Sequence, residues 1–170
     1  MHFVPWHLPN LKTKYPKMDF DNDDKLDFGT LPPAVDKLLQ QGVASHFTDP
    51  AAAEAAFRAA IALDPTALPA YRCLFKHCNR KRQFDAAYQT VLDWLAEAAR
   101  QAGISADFRT WTAAPRPLLA ALKAYAFIQL RRGNREDSAA ALDVLLRLDP
   151  EDGVGASVVA ALLPEVEAFA

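Results

Sequence analysis

Asp49–Tyr71, DPAAAEAAFRAAIALDPTALPAY, writes out a helix, a hard stop and the beginning of a second helix. Asp49 is suited to cap the first backbone NH groups, and Pro50 fits the first helical position. Ala52, Ala53, Ala56, Phe57, Ala60, Ile61 and Leu63 recur at steps of three and four, which predicts one apolar stripe. Pro65 ends the helix, because its ring disfavours helical geometry at Asp64. Leu68 and Tyr71 then open a new apolar face. The stripe is mostly alanine around one large ring, Phe57, so another helix is able to approach closely. The stretch predicts half of a helix hairpin.

Composition extends this to the whole chain. Of 170 residues, 51% are hydrophobic and 24% charged, enough to bury the core of one domain. Alanine and leucine dominate and β-branched residues are few, which predicts an all-helical protein. A net charge of -2 predicts no general affinity for nucleic acid or an anionic membrane. No apolar run approaches the roughly 20 residues of a membrane span. The N-terminus, MHFVPWHLPNLKTKYPK, lacks the long apolar core of a signal peptide, so a cytoplasmic location is expected. Cys73 and Cys78 lie on one predicted helix at a spacing that points them to different faces, which argues against a disulfide between them.

Residues 1–30 differ in character from the rest of the chain and predict an extended N-terminal arm ahead of a helical domain over 31–170. The arm is first aromatic, proline-rich and basic, then acidic from Met18 onward, MDFDNDDKLDF. Its prolines prevent a regular helix, which leaves a disordered tail or an extended arm lying on the body, and its rings slightly favour docking. A start at Met18 would dispense with the first part. Asp19, Asp21 and Asp23 alternate as in a calcium loop. Asp24 stands where the sharp turn needs Gly and Thr30 where a bidentate Glu belongs, so a solvated acidic arm is expected instead.

From Leu31 the periodicity predicts helices over Pro33–His46, Pro50–Leu63, Leu68–Asn79, Phe84–Ala102, Leu118–Arg132 and Glu136–Leu148. An amphipathic segment, Val154–Phe169, is expected to cap the open end. Gly103–Pro117 reads as a linker whose Phe108 and Trp111 are expected to pack over a hairpin end.

Two of the helices end alike. AAFRAAIALDPTAL and AALDVLLRLDPEDG both run at helical spacing into Leu-Asp-Pro. Ala53, Phe57, Ala60 and Pro65 follow a small, large, small, proline order, and Tyr71, Leu74, Phe84 and Ala87 continue the pattern. Counting back from Pro150 gives a third unit near Leu119, with Leu122 and Gly133 in place and Ser138 and Leu145 at two small-residue positions. This resembles the tetratricopeptide repeat (TPR) family, whose units are helix hairpins of about 34 residues. Pro65 and Pro150 stand about two and a half such units apart, so an insertion near the linker is required. The resemblance covers roughly residues 33–151. It implies a right-handed stack of three helix-turn-helix hairpins plus a C-terminal capping helix. It also implies that the first helix of each pair lines a concave side.

On the third helix Arg72, Lys76 and Arg80 are spaced by four, with Asn79 beside them, and on the fifth Lys123, Phe127 and Arg131 repeat the spacing. Under the resemblance both rows face the groove, where cations and amides would hold carboxylates and Phe127 would offer an apolar shelf. The expected function is a non-enzymatic protein–protein interaction module. It would be an adaptor or assembly chaperone taking a peptide or acidic segment of a partner in this basic groove. The alternative is a structural subunit of a larger complex, held by the arm and the linker aromatics. The acidic segment Asp19–Asp27 is a candidate to fill the groove in the same molecule or in a neighbour, which would bring self-association through the arm. Catalysis has little support: no metal-binding pair among His2, His7, His46 and His77, no phosphate loop and no nucleophile elbow is recognisable. No catalytic residue, metal or cofactor is expected.

Overall fold

The computed structural model describes residues 26–164, and the aromatic, proline-rich part of the arm lies outside them. Among the described residues seven α-helices follow one another: α1 (Pro33–Ser45), α2 (Pro50–Leu63), α3 (Leu68–Arg80), α4 (Phe84–Ala102), α5 (Arg116–Arg131), α6 (Arg135–Leu148) and α7 (Ala156–Ala160). A 3-10 turn at Phe108–Thr110 interrupts the connection between α4 and α5. No strand occurs among the described residues. Helices pack as neighbouring pairs: α1 on α2, α3 on α4 and α5 on α6. Contacts of α2 with α3 and of α4 with α5 join the pairs into one body.

The helix ends obey local chemistry. Asp49 accepts from the Ala52 N–H at 3.1 Å, satisfying one of the orphan donors at the start of α2. At the Leu-Asp-Pro stops the residue before proline is non-helical, with φ -144° and ψ 92° at Asp64 and φ -127° and ψ 63° at Asp149. The aspartates do more than stop the helix. Asp64 accepts from the Thr66 N–H at 3.0 Å, and Asp149 from the N–H groups of Gly153 and Val154, both at 2.9 Å. Each carboxylate thereby builds the turn at its helix end. The Tyr71 hydroxyl donates to the Pro65 carbonyl at 2.6 Å and closes the α2–α3 turn. Gly103 ends α4 with φ +70°, the left-handed geometry glycine adopts without cost.

The apolar stripe of α2 is narrower than its sequence suggests. Ala53, Phe57 and Ala60 are buried, whereas Ala52 and Leu63 face solvent. Gly42 of α1 lies against the Phe57 ring so closely that no side chain fits between them. Phe108 and Trp111 are buried: the Phe108 ring stacks on Tyr125 at 5.4 Å, and the Trp111 indole donates to the Ser105 carbonyl at 2.7 Å. Arg147 of α6 reaches the Trp111 carbonyl at 3.0 Å. The two linker rings are therefore packed into the core beside the third hairpin, while the rest of the linker is largely exposed. At the far end the expected capping segment is broken up. α7 starts after Gly155, at φ +76°, and is only five residues long; residues 165–170 lie outside the described part.

Candidate functional site

α3 lies between α1 and α5, and the three helices border a cavity of about 620 Å³. Its upper wall is α1 with the stretch that leads into it, including Leu26, Asp27 and Phe28. Its floor holds Phe57, His77 and Trp94, and Pro117 and Ala120 of α5 form the opposite edge.

The row predicted on α3 falls here. Arg72, Lys76 and Arg80 all line the cavity, because a four-residue step returns to the same helix face. Among the described residues none of them is in an ion pair, and Asp27 is the one carboxylate on the cavity wall. Lys76 is half-buried. Burial first, and then the like charges of Arg72, Arg80 and Lys123, push its ammonium below the usual lysine range. Arg80 leans on the turn after α1, its Nη1 lying 2.7 Å from His46 Nε2, and its guanidinium sits 5.6 Å from the Phe47 ring centroid.

The remaining predicted residues are distributed differently. Lys123 is close enough to influence Lys76, but its ammonium turns toward the loop before α7. It stands 3.2 Å from where a β-carbon of Gly155 would be. Phe127 is half-buried and Arg131 stacks over it at 5.8 Å and over Phe84 at 4.8 Å. Arg131 then lines a separate open depression at the hairpin tips, with Arg82 and Arg132. Asn79 is half-buried, lies outside the cavity lining, and its side-chain oxygen has no partner. The α3 row is thus gathered into the cavity, and Lys123, Phe127 and Arg131 are not.

Two floor residues, His77 and Trp94, are not among the site residues the sequence predicts. His77 and Trp94 are buried, and among the described residues neither the two His77 ring nitrogens nor Trp94 Nε1 has a hydrogen-bond partner. His77 meets the Phe57 ring edge-on at 5.8 Å and the His46 ring at 6.3 Å. Burial, then neighbouring cations, lowers the pKa of His46; His77 is lowered by burial despite the opposing pull of Glu54. A position on the apolar side of α3, three residues after Leu74 and seven after Ala70, is the available signal for His77. Cys73 also lines the cavity, with its thiol pushed up to about 11 by burial, so it is a neutral apolar surface and a poor nucleophile. Among the described residues no group of His, Cys, Asp and Glu is arranged to hold a metal ion, and no helix is long and apolar enough to cross a membrane.

The cavity therefore pairs an apolar floor with a one-sided row of cations. Such a surface favours a carboxylate-bearing ligand, since charge-assisted hydrogen bonds strengthen where water is partly excluded. No family model matches the chain, and no curated protein or solved structure matches it either.

Proposed function

We propose that this chain is a non-enzymatic protein-interaction module, an adaptor or assembly chaperone, that takes an extended acidic segment of a partner into the cavity between α1, α3 and α5. The helix pairs are read as a right-handed TPR-like stack preceded by an extended arm and closed by α7. One observation carries the functional reading: Arg72, Lys76 and Arg80 share a cavity wall on which, among the described residues, exposed Asp27 is the one carboxylate. Placing like charges together without counter-charge is unfavourable in the empty protein, and an acidic ligand relieves it. The apolar floor supports a peptide over a bare anion, because it offers burial to a large side chain. The linker aromatics are buried in this chain, which removes one of the two handles of the structural-subunit alternative.

The test is fluorescence anisotropy with labelled acidic peptides, set beside a pull-down from native cells. Arg72→Glu/Lys76→Glu should weaken binding at least about tenfold, roughly 1.4 kcal/mol, and should lose a specific partner. Equal binding by wild type and a folded double variant would remove the groove from consideration.

A further inference from the structure

Leu26 is clasped at the rim of the cavity. Its N–H donates to Gln40 Oε1 at 3.2 Å, and Gln40 Nε2 donates back to its carbonyl at 2.7 Å. One amide of α1 therefore reads both backbone groups of an irregular, non-helical residue, and Asp27 and Phe28 continue along the cavity wall. The residues that reach this clasp are Met18-Asp19-Phe20-Asp21-Asn22-Asp23-Asp24-Lys25. Met18-Asp19-Phe20 repeats the apolar, Asp, Phe order of Leu26-Asp27-Phe28, which already lines the wall.

We propose that residues 18–24 of the same chain are the resident ligand of the cavity, with carboxylates on Arg72 and Lys76 and the Phe20 ring on the apolar floor beside Trp94. This rests on reading the cavity as an acidic-peptide site, and adds that the first ligand is carried in cis. Charge complementarity favours it: the segment carries Asp19, Asp21, Asp23 and Asp24, and the cavity carries three cations with Asp27 as the one described carboxylate on its wall. Reach favours it as well. Phe20 stands six positions before Leu26, an extended span of about 20 Å. Arg72 to Arg80 covers only about 12 Å of helix. A tether this short gives an effective concentration on the order of millimolar, so a partner's peptide must displace the arm to bind. The apparent dissociation constant for an external peptide is then raised by the inverse of the open fraction.

The experiment uses the full chain and a fluorescein-labelled peptide with the sequence MDFDNDDK. Replacing the arm's acids by Asp19→Asn/Asp21→Asn/Asp23→Asn/Asp24→Asn leaves the described body untouched. The labelled peptide should bind this variant about tenfold tighter than wild type, the value expected if the arm fills nine grooves in ten. Arg72→Glu/Lys76→Glu should abolish binding in both backgrounds. Equal affinity for wild type and the Asn variant, with binding still lost in Arg72→Glu/Lys76→Glu, overturns the proposal and leaves the groove reading standing. A peptide that binds neither chain overturns both. A gain in affinity accompanied by dissociation of a dimer in sedimentation places the segment in a neighbouring copy and overturns the in-cis form.

Discussion

Gly42 has no room for a side chain: a β-carbon there would lie 2.3 Å from the Phe57 ring, and that ring is itself boxed in by His77. Gly42→Ala should cost about 1–3 kcal/mol of stability by overpacking. Phe57→Leu in the same chain should recover part of that cost, since the two sites share one space. Urea denaturation of the two single variants and the double variant checks it, and strict additivity would contradict the account. His77 predicts differently. Its folded pKa, like that of His46, lies below the ordinary value near 6.5, so the unfolded chain binds protons more readily in that range. Stability should therefore fall as pH drops through about 6.5, above the range where carboxylates such as Glu97 begin to titrate. His77→Leu removes two unpartnered buried nitrogens, so it should hold or raise stability and flatten that slope. A variant that is less stable with the slope unchanged would refute the role given to burial here.

Among the elements, α2 and α4 fall on the boundaries that the sequence predicts, Pro50–Leu63 and Phe84–Ala102. For α2 the signals are local: Asp49-Pro50 at one end and Asp64-Pro65 at the other need no distant residue to act. Asp49→Ala should accordingly lower stability by about 1 kcal/mol through loss of the cap to Ala52, while Asp49→Ser should retain most of it; thermal unfolding monitored by circular dichroism compares the two. α5 begins at Arg116, two residues before the expected Leu118, because Pro117 sits in the first turn, where no backbone donor is required. The final segment departs from expectation for the opposite reason. Its apolar spacing is helical, but Gly155 in the left-handed region and the carboxylate of Asp152 on Ser157 delay the start to Ala156, and α7 runs only to Ala160. The candidate site divides along the same line. The α3 row was legible because one helix fixes all three residues. The α5 row was not, because the direction in which Lys123, Phe127 and Arg131 point depends on how the third hairpin is set against the second. That setting is fixed by packing around Tyr88, Phe108 and Tyr125, which no spacing rule encodes.

At the scale of the molecule, the field of the cavity belongs to several helices at once. Lys76 carries a lowered pKa because it is partly buried and because α3 and α5 both crowd it with positive charge. An acidic ligand would favour its protonated form, so the bound pKa should exceed the free one. Peptide affinity should then decline as pH rises through the free Lys76 pKa, beginning below the ordinary lysine value near 10.4. Anisotropy titrations between about pH 7 and 10 read this directly, and Lys76→Arg, which stays charged, should abolish the decline. Affinity should also fall with added salt, since the cations are at most partly shielded from solvent. A salt-independent affinity would mean that the charges are bystanders.

Phe108 and Trp111 give the segment between α4 and α5 an unusual standing. Most connections run over a surface and tolerate being lengthened or cut. This one is pinned onto the third hairpin by its two rings and by Arg147 of α6. Trimming it would leave a hole the size of two rings on the flank of that hairpin.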